Sequence, residues 1–123
     1  MIVGVGIDLT PISRMADALQ RHEGRFEARV FTEKERADCR EGAFPAQHFA
    51  ARFAAKEAAV KACPVLRGQS WHDVEVVREA DGRPRLALHG AAATAAEGVG
   101  ARRLHVSLSH AADSAIAVVV AED

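Results

Sequence analysis

The sequence predicts an α+β fold, because helical signals come early in the chain and antiparallel strand signals come late. A long alanine-rich helical segment in the middle and two strand-like runs meeting at a short turn near the end are the strongest of these signals. Residues 2–9, IVGVGIDL, read as a buried strand, with Val3, Val5, Ile7 and Leu9 on one face and Ile2, Gly4, Gly6 and Asp8 on the other. The two glycines allow another backbone, a helix or a ligand to come close, and they lead to Asp8. Thr10 suits a helix cap and Pro11 a first helical position. The helix PISRMADALQRHE then follows, with Ile12, Met15, Ala16 and Leu19 on its apolar face and Gly24 at its end. Arg14, Asp17 and Arg21 share the polar face, and Arg25 lies just beyond. In TEKE, Thr32 and Glu35 have the spacing of a capping box for a short helix. Residues 40–45 read as a loop, and a helix over about 46–63 is stopped by Pro64. WHDVEVVREADGRPRLAL has the pattern of a hairpin turning at Asp81-Gly82. HGAAATAAEG reads as a short helix closed by Gly98. RRLHVSLSH and SAIAVVVAE read as two strands joined near Ala112-Asp113.

The chain has 123 residues, which predicts one domain, residues 1–123, with one real core. Its formal net charge of −1 gives no global field to recruit nucleic acid. Cys39 and Cys63 form neither a CxxC motif nor a disulfide framework, which suits a reducing cytoplasm. The start MIVGVGIDL lacks a basic leader region and is too short to span a bilayer, so no membrane association is expected.

The middle helix poses a chemical question. In RFAAKEAAVKA, Phe49 (just upstream), Phe53 and Val60 form one stripe, and alanines cover most of the rest. A helix that is apolar nearly all round is normally buried, yet Arg52, Lys56, Glu57 and Lys61 sit on it. Glu57 and Lys61 have the spacing to pair, whereas Arg52 and Lys56 repel. Unpaired buried charge is very unfavourable, so an anion from elsewhere would settle the excess. Only three lysines occur against thirteen arginines, and two of the three are on this helix, which hints at a specific use for an ammonium group. The plain alternative is a solvated helix whose long side chains reach water.

Asp8 at a strand end and Glu57 on this helix are two carboxylates that, completed by phosphates, suit Mg²⁺. The alternatives are a capping role for Asp8 and the Lys61 pair for Glu57. In HVSLSH, His105, Ser107 and Ser109 share a strand face, and His110 takes the other. No GxSxG elbow supports a serine nucleophile. His110 suits a phosphate contact, a proton shuttle or a structural role. The histidines lack metal-site spacing, and no GxxxxGK[ST] loop is present, so side chains must hold any phosphate.

GIDLTPISRM, FTEKE, RFAAKEAAVKA, WHDVEV, GRPRLAL and HVSLSH occur in this order over nearly the whole chain. Together they resemble holo-acyl-carrier-protein synthases, the small bacterial class of 4′-phosphopantetheinyl transferases. The resemblance implies transfer of 4′-phosphopantetheine from coenzyme A to a serine of apo-acyl carrier protein, with release of 3′,5′-ADP, for fatty-acid or also polyketide synthesis. It implies Mg²⁺ held by Asp8 and Glu57, and coenzyme A contacts from Lys56, Lys61, Pro84, Ser109 and His110, with Arg52 either joining them or structural. It implies a homotrimer with active sites between subunits, and an acidic carrier protein docked on the first helix through Arg14, Arg21 and Arg25. The serine proton has three candidate acceptors: a water oriented by Glu57, Asp8 itself, or His110 of the next subunit. Two departures from relatives stand out, namely KACPVLRG where a glycine commonly follows KA sooner, and Ala111 where a polar residue is common. The rival readings are a coenzyme A-binding module without turnover and a ligand-free structural trimer. Intact Asp8, Glu57 and Lys61 argue against the first, and the surplus positive charge on the helix argues against the second.

Overall fold

The predicted α+β character is present in a computed structural model that describes residues 1–21 and 23–123, where four helices follow the first strand before the antiparallel strands come. The order is β1 (Ile2–Pro11), α1 (Ile12–Arg21), α2 (Arg25–Val30), α3 (Glu33–Arg40), α4 (Pro45–Ala62), β2 (Val74–Arg78), β3 (Pro84–Leu88), α5 (Gly90–Gly98), β4 (Arg103–Ala111) and β5 (Ser114–Glu122). The sheet structure is split: β1-β5-β4 form a three-stranded antiparallel sheet and β2-β3 a separate hairpin.

Helix α4 lies across the inner face of the larger sheet, and its alanines are the reason it can. Ala54, Ala55, Ala58 and Ala59 are fully buried there, against Ala117, Val119 and Ala121 of β5. Gly4 and Gly6 serve the same approach. A Cβ on Gly6 would sit 2.1 Å from the Ala58 carbonyl oxygen, and one on Gly4 would sit 1.8 Å from that of Ala62. Of the three partners the glycines could admit, they admit the helix. Gly6→Ala is expected to push strand from helix and cost about 1–3 kcal/mol, measurable as a lowered urea midpoint. An unchanged midpoint would mean that this packing is looser than the geometry implies. A second cluster packs Phe31 and Phe49 with Met15, Val30 and Cys39 under α1–α3.

Several expectations are corrected. Thr10 and Pro11 do not start the helix. They extend β1, opposite Ala115 and Ser114. The cap for α1 comes instead from Asp113, whose carboxylate accepts from the Ser13 N–H at 2.9 Å and the Ser13 hydroxyl at 2.6 Å. Helix α1 ends at Arg21, and the predicted helical position 22 lies outside the described residues. Helix α2 was not expected; it follows Gly24, which has φ +84. Helix α5 ends on Gly98, where the sequence closed it, and the left-handed residue beyond it is Gly100. The capping box at Thr32 and Glu35 is present, as are the hairpin and the turn at Ala112–Asp113.

The outer face of β1 is not buried in this chain. Val3, Val5, Ile7 and Leu9 are 48–61% exposed, because α4 covers only the other side of the sheet. Ile116, Val118 and Val120 of β5 lie beside them, opposite Leu9, Ile7 and Val5.

Candidate active site

The strand alternation that buries Gly6 under α4 also turns Asp8 toward that helix. The Lys61 ammonium meets it, donating to Asp8 Oδ1 at 3.0 Å and to the Ile7 carbonyl at 3.0 Å. Lys61 therefore pairs with Asp8, where spacing alone had suggested Glu57. Glu57 stands half-buried one helical turn before Lys61. Burial, and then the negative charge of Asp8, push the Glu57 carboxyl above its usual range, while Lys61 and Arg67 pull it back. Two carboxylates that repel each other, with one shared ammonium, form a donor set suited to a divalent cation. Among the described residues no group of three or more His, Cys, Asp or Glu forms a closed metal cage. Mg²⁺ does not need one, since it takes one or two carboxylates together with substrate phosphates and waters. The residues present fit that ion.

Beside Glu57 opens a pocket of about 390 Å³, lined among others by Arg67, Gln69, Ser70 and Trp71. None of these four was singled out in the sequence as a site residue, although Trp71 opens the WHDVEV motif. The signal that could have found Arg67 is the unusual KACPVLRG stretch, which puts a cation on the loop leaving the KEAAVKA helix.

The other predicted phosphate ligands are not gathered here. Lys56 is fully buried, and its ammonium is spent on Glu35 Oε1 at 2.9 Å and on the carbonyls of Trp71 at 2.9 Å and Val74 at 2.7 Å. An ammonium has three N–H donors, so none is left for a phosphate. Lys56 is a core residue, and the expected coenzyme A contact is corrected. Arg52 is 7% exposed, its guanidinium reaches the His48 carbonyl at 3.5 Å, and its Nε has no partner among the described residues. Its burial favours the structural reading.

Ser109 is on the outer sheet face opposite Ile116, whereas His110 is near the end of β4, where its Nε2 lies 2.9 Å from Gln47 Nε2. Ten residues of α4 separate Gln47 from Glu57, about 15 Å of helix. Pro84 starts β3 and lines a larger pocket of about 720 Å³, shared with Arg83, Arg85, His105 and Ser107. Within one chain, then, Asp8, Glu57 and Lys61 come together, while Pro84, Ser109 and His110 stand apart from them. On α1, Arg14 and Arg21 are exposed and line one shallow depression with Asp17, and Arg25 is exposed at the start of α2.

Residues 4–119 match the 4′-phosphopantetheinyl transferase superfamily. The chain is 47% identical over 125 residues to the holo-[acyl-carrier-protein] synthase of Koribacter versatilis, covering 100% of both chains. Its fold is similar to the crystal structure of holo-[acyl-carrier-protein] synthase from Neisseria meningitidis, with a TM-score of 0.89 at 29% identity and 100% coverage of each chain. It is also similar to the Helicobacter pylori holo-[acyl-carrier-protein] synthase crystallised with coenzyme A, with a TM-score of 0.84 at 29% identity over 96% of this chain and 99% of that one. The chain belongs to the 4′-phosphopantetheinyl transferase superfamily and, within it, to the holo-[acyl-carrier-protein] synthases. It is accordingly a phosphopantetheinyl transferase.

Proposed function

We propose that this enzyme moves 4′-phosphopantetheine from coenzyme A to a serine hydroxyl of apo-acyl carrier protein, with Mg²⁺ held by Asp8 and Glu57. The observation that carries the reading is the convergence of Asp8, Glu57 and Lys61 beside an open pocket. The coenzyme A complex of the Helicobacter pylori relative supports the donor, and the names of the relatives support the acceptor. In the reaction the serine oxygen bonds to the phosphorus that carries the pantetheine, the bond to the adenosine-side phosphate breaks, and 3′,5′-ADP leaves. When bound, Mg²⁺ supplies charge neutralisation at the transferring phosphoryl group. Lys61 holds Asp8 in place and adds positive charge on the same side. The serine proton goes to Glu57 through water, to Asp8, or to His110 of a neighbouring subunit.

A homotrimer with shared sites fits this reading. The exposed apolar row of Val3, Val5, Ile7 and Leu9 is the kind of surface that finds a symmetric copy. Sharing would also bring Pro84, Ser109 and His110 of one subunit to the carboxylates of another, which they do not reach alone. The enzyme would act in the cytoplasm on carriers of fatty-acid or polyketide synthesis; no helix among the described residues is long and apolar enough to cross a membrane.

The test is incubation with apo-acyl carrier protein, coenzyme A and Mg²⁺, followed by intact mass of the carrier. A gain of one phosphopantetheine, abolished by chelation, is expected; an unmodified carrier would overturn the proposal. The exposed Arg14 and Arg21 suit an acidic carrier. Arg14→Glu is therefore expected to raise KM for the carrier several-fold and flatten its salt dependence, with KM for coenzyme A unmoved. Equal loss for both substrates would put Arg14 in the nucleotide pocket instead.

A further inference from the structure

Among the described residues, the cations around the two carboxylates are already committed, with one exception. Lys61 is bound to Asp8 and the Ile7 carbonyl, and Lys56 is spent inside the core. Arg67 lines the pocket that opens at Glu57 and has no ion-pair or side-chain hydrogen-bond partner among the described residues.

Its loop holds it there. The Leu66 N–H bonds the Cys63 carbonyl at 2.9 Å, the Arg67 N–H bonds that of Pro64 at 3.0 Å, and the Gln69 N–H bonds that of Leu66 at 3.1 Å. Leu66 is buried and anchors one side of Arg67, and Gly68 turns the chain on the other at φ +85. An exposed arginine on a loop fixed in this way, facing the reacting end of the site, is suited to a bidentate phosphate contact.

Building on the function proposed above, we infer that Arg67 binds the phosphoryl group that is transferred, and so serves as a further substrate-binding residue of this enzyme. Its position beside Glu57, the carboxylate proposed to hold Mg²⁺ at the transferring phosphoryl group, assigns it to that phosphate. A guanidinium in this place also offsets the charge that grows on the phosphoryl oxygens as the bond to the leaving nucleotide breaks.

The experiment is calorimetric titration of wild type, Arg67→Ala and Arg67→Lys with coenzyme A and, separately, with 3′,5′-ADP, which lacks the transferred phosphate. Thermal unfolding of each variant checks the fold, and KM for apo-carrier is measured alongside. Arg67→Ala is expected to weaken coenzyme A about tenfold or more while leaving 3′,5′-ADP unaffected, and Arg67→Lys is expected to recover part of the loss. Equal weakening of both ligands, unchanged coenzyme A affinity, or a rise confined to the carrier KM would each overturn the assignment while wild-type transfer left the proposed function standing. A wild type that neither binds coenzyme A nor modifies a carrier would overturn both.

Discussion

Glu57→Gln is expected to slow phosphopantetheine transfer about 100-fold or more, the size of effect that follows from losing charge stabilisation of several kcal/mol. The substitution keeps the size of the side chain and one acceptor oxygen but removes the charge that a metal needs. Stability should move the other way. Burial and the neighbouring Asp8 raise the Glu57 carboxyl above its unfolded value. A carboxyl raised on folding takes up protons more readily in the native state, so its contribution is most favourable below the unfolded value and is lost as pH rises through the folded one. At neutral pH without metal, the ionised Glu57 therefore works against the fold, and Gln relieves it. The metal-free variant should unfold at the same temperature as wild type or slightly above, and the gap should close at acidic pH. Normal transfer at limiting Mg²⁺ would refute the metal assignment. A large drop in unfolding temperature would show that Glu57 is structural, and that lost activity says nothing about metal.

The same helix shows what a sequence can and cannot disclose. Asp8 and Glu57 could be named as candidates because each is tied to a local pattern: a strand whose glycines need a close neighbour, and a helix whose charges need a reason. Lys61 was legible as a cation but not by partner, since helical spacing favoured Glu57 and the tertiary contact with Asp8 won. Thr10 and Pro11 misled because a good cap and a good first helical residue are weak preferences against a full ladder with β5. The exposed outer face of β1 was hidden because alternation shows two faces of a strand but not which of them a single chain covers. Lys56 was the clearest miss. Its partner Glu35 was already explained as a capping-box residue, and nothing local indicates that one carboxylate serves both ends.

That double service underlies the second large effect. Glu35 caps α3 by accepting from the Thr32 N–H at 2.8 Å, and its other oxygen accepts from the Val76 N–H at 2.8 Å. Lys56 reaches the same carboxylate at 2.9 Å, and both side chains are fully buried. One ion pair thus joins α3, α4 and β2, and two further bonds hold the carbonyls of Trp71 and Val74 at the pocket wall. Burial lowers the pKa of Lys56, against the opposing pull of Glu35. Removing only the lysine is the costly step, because it leaves a buried carboxylate without its counter-charge and two carbonyls without a donor. Lys56→Met fills similar volume and is expected to cost about 3–5 kcal/mol, read as a fall in the urea midpoint at fixed protein concentration, since association shifts apparent stability. Glu35→Gln combined with Lys56→Met should be less destabilised than the two single losses added together, by about 1–3 kcal/mol, because no lone charge remains. If Lys56 instead bound coenzyme A, Lys56→Met would leave the urea midpoint in place and raise only the Kd for coenzyme A. Additive losses in the double variant would mean that the two side chains do not act as a pair, and the strength of this core would then have to lie in the alanine packing of α4 alone.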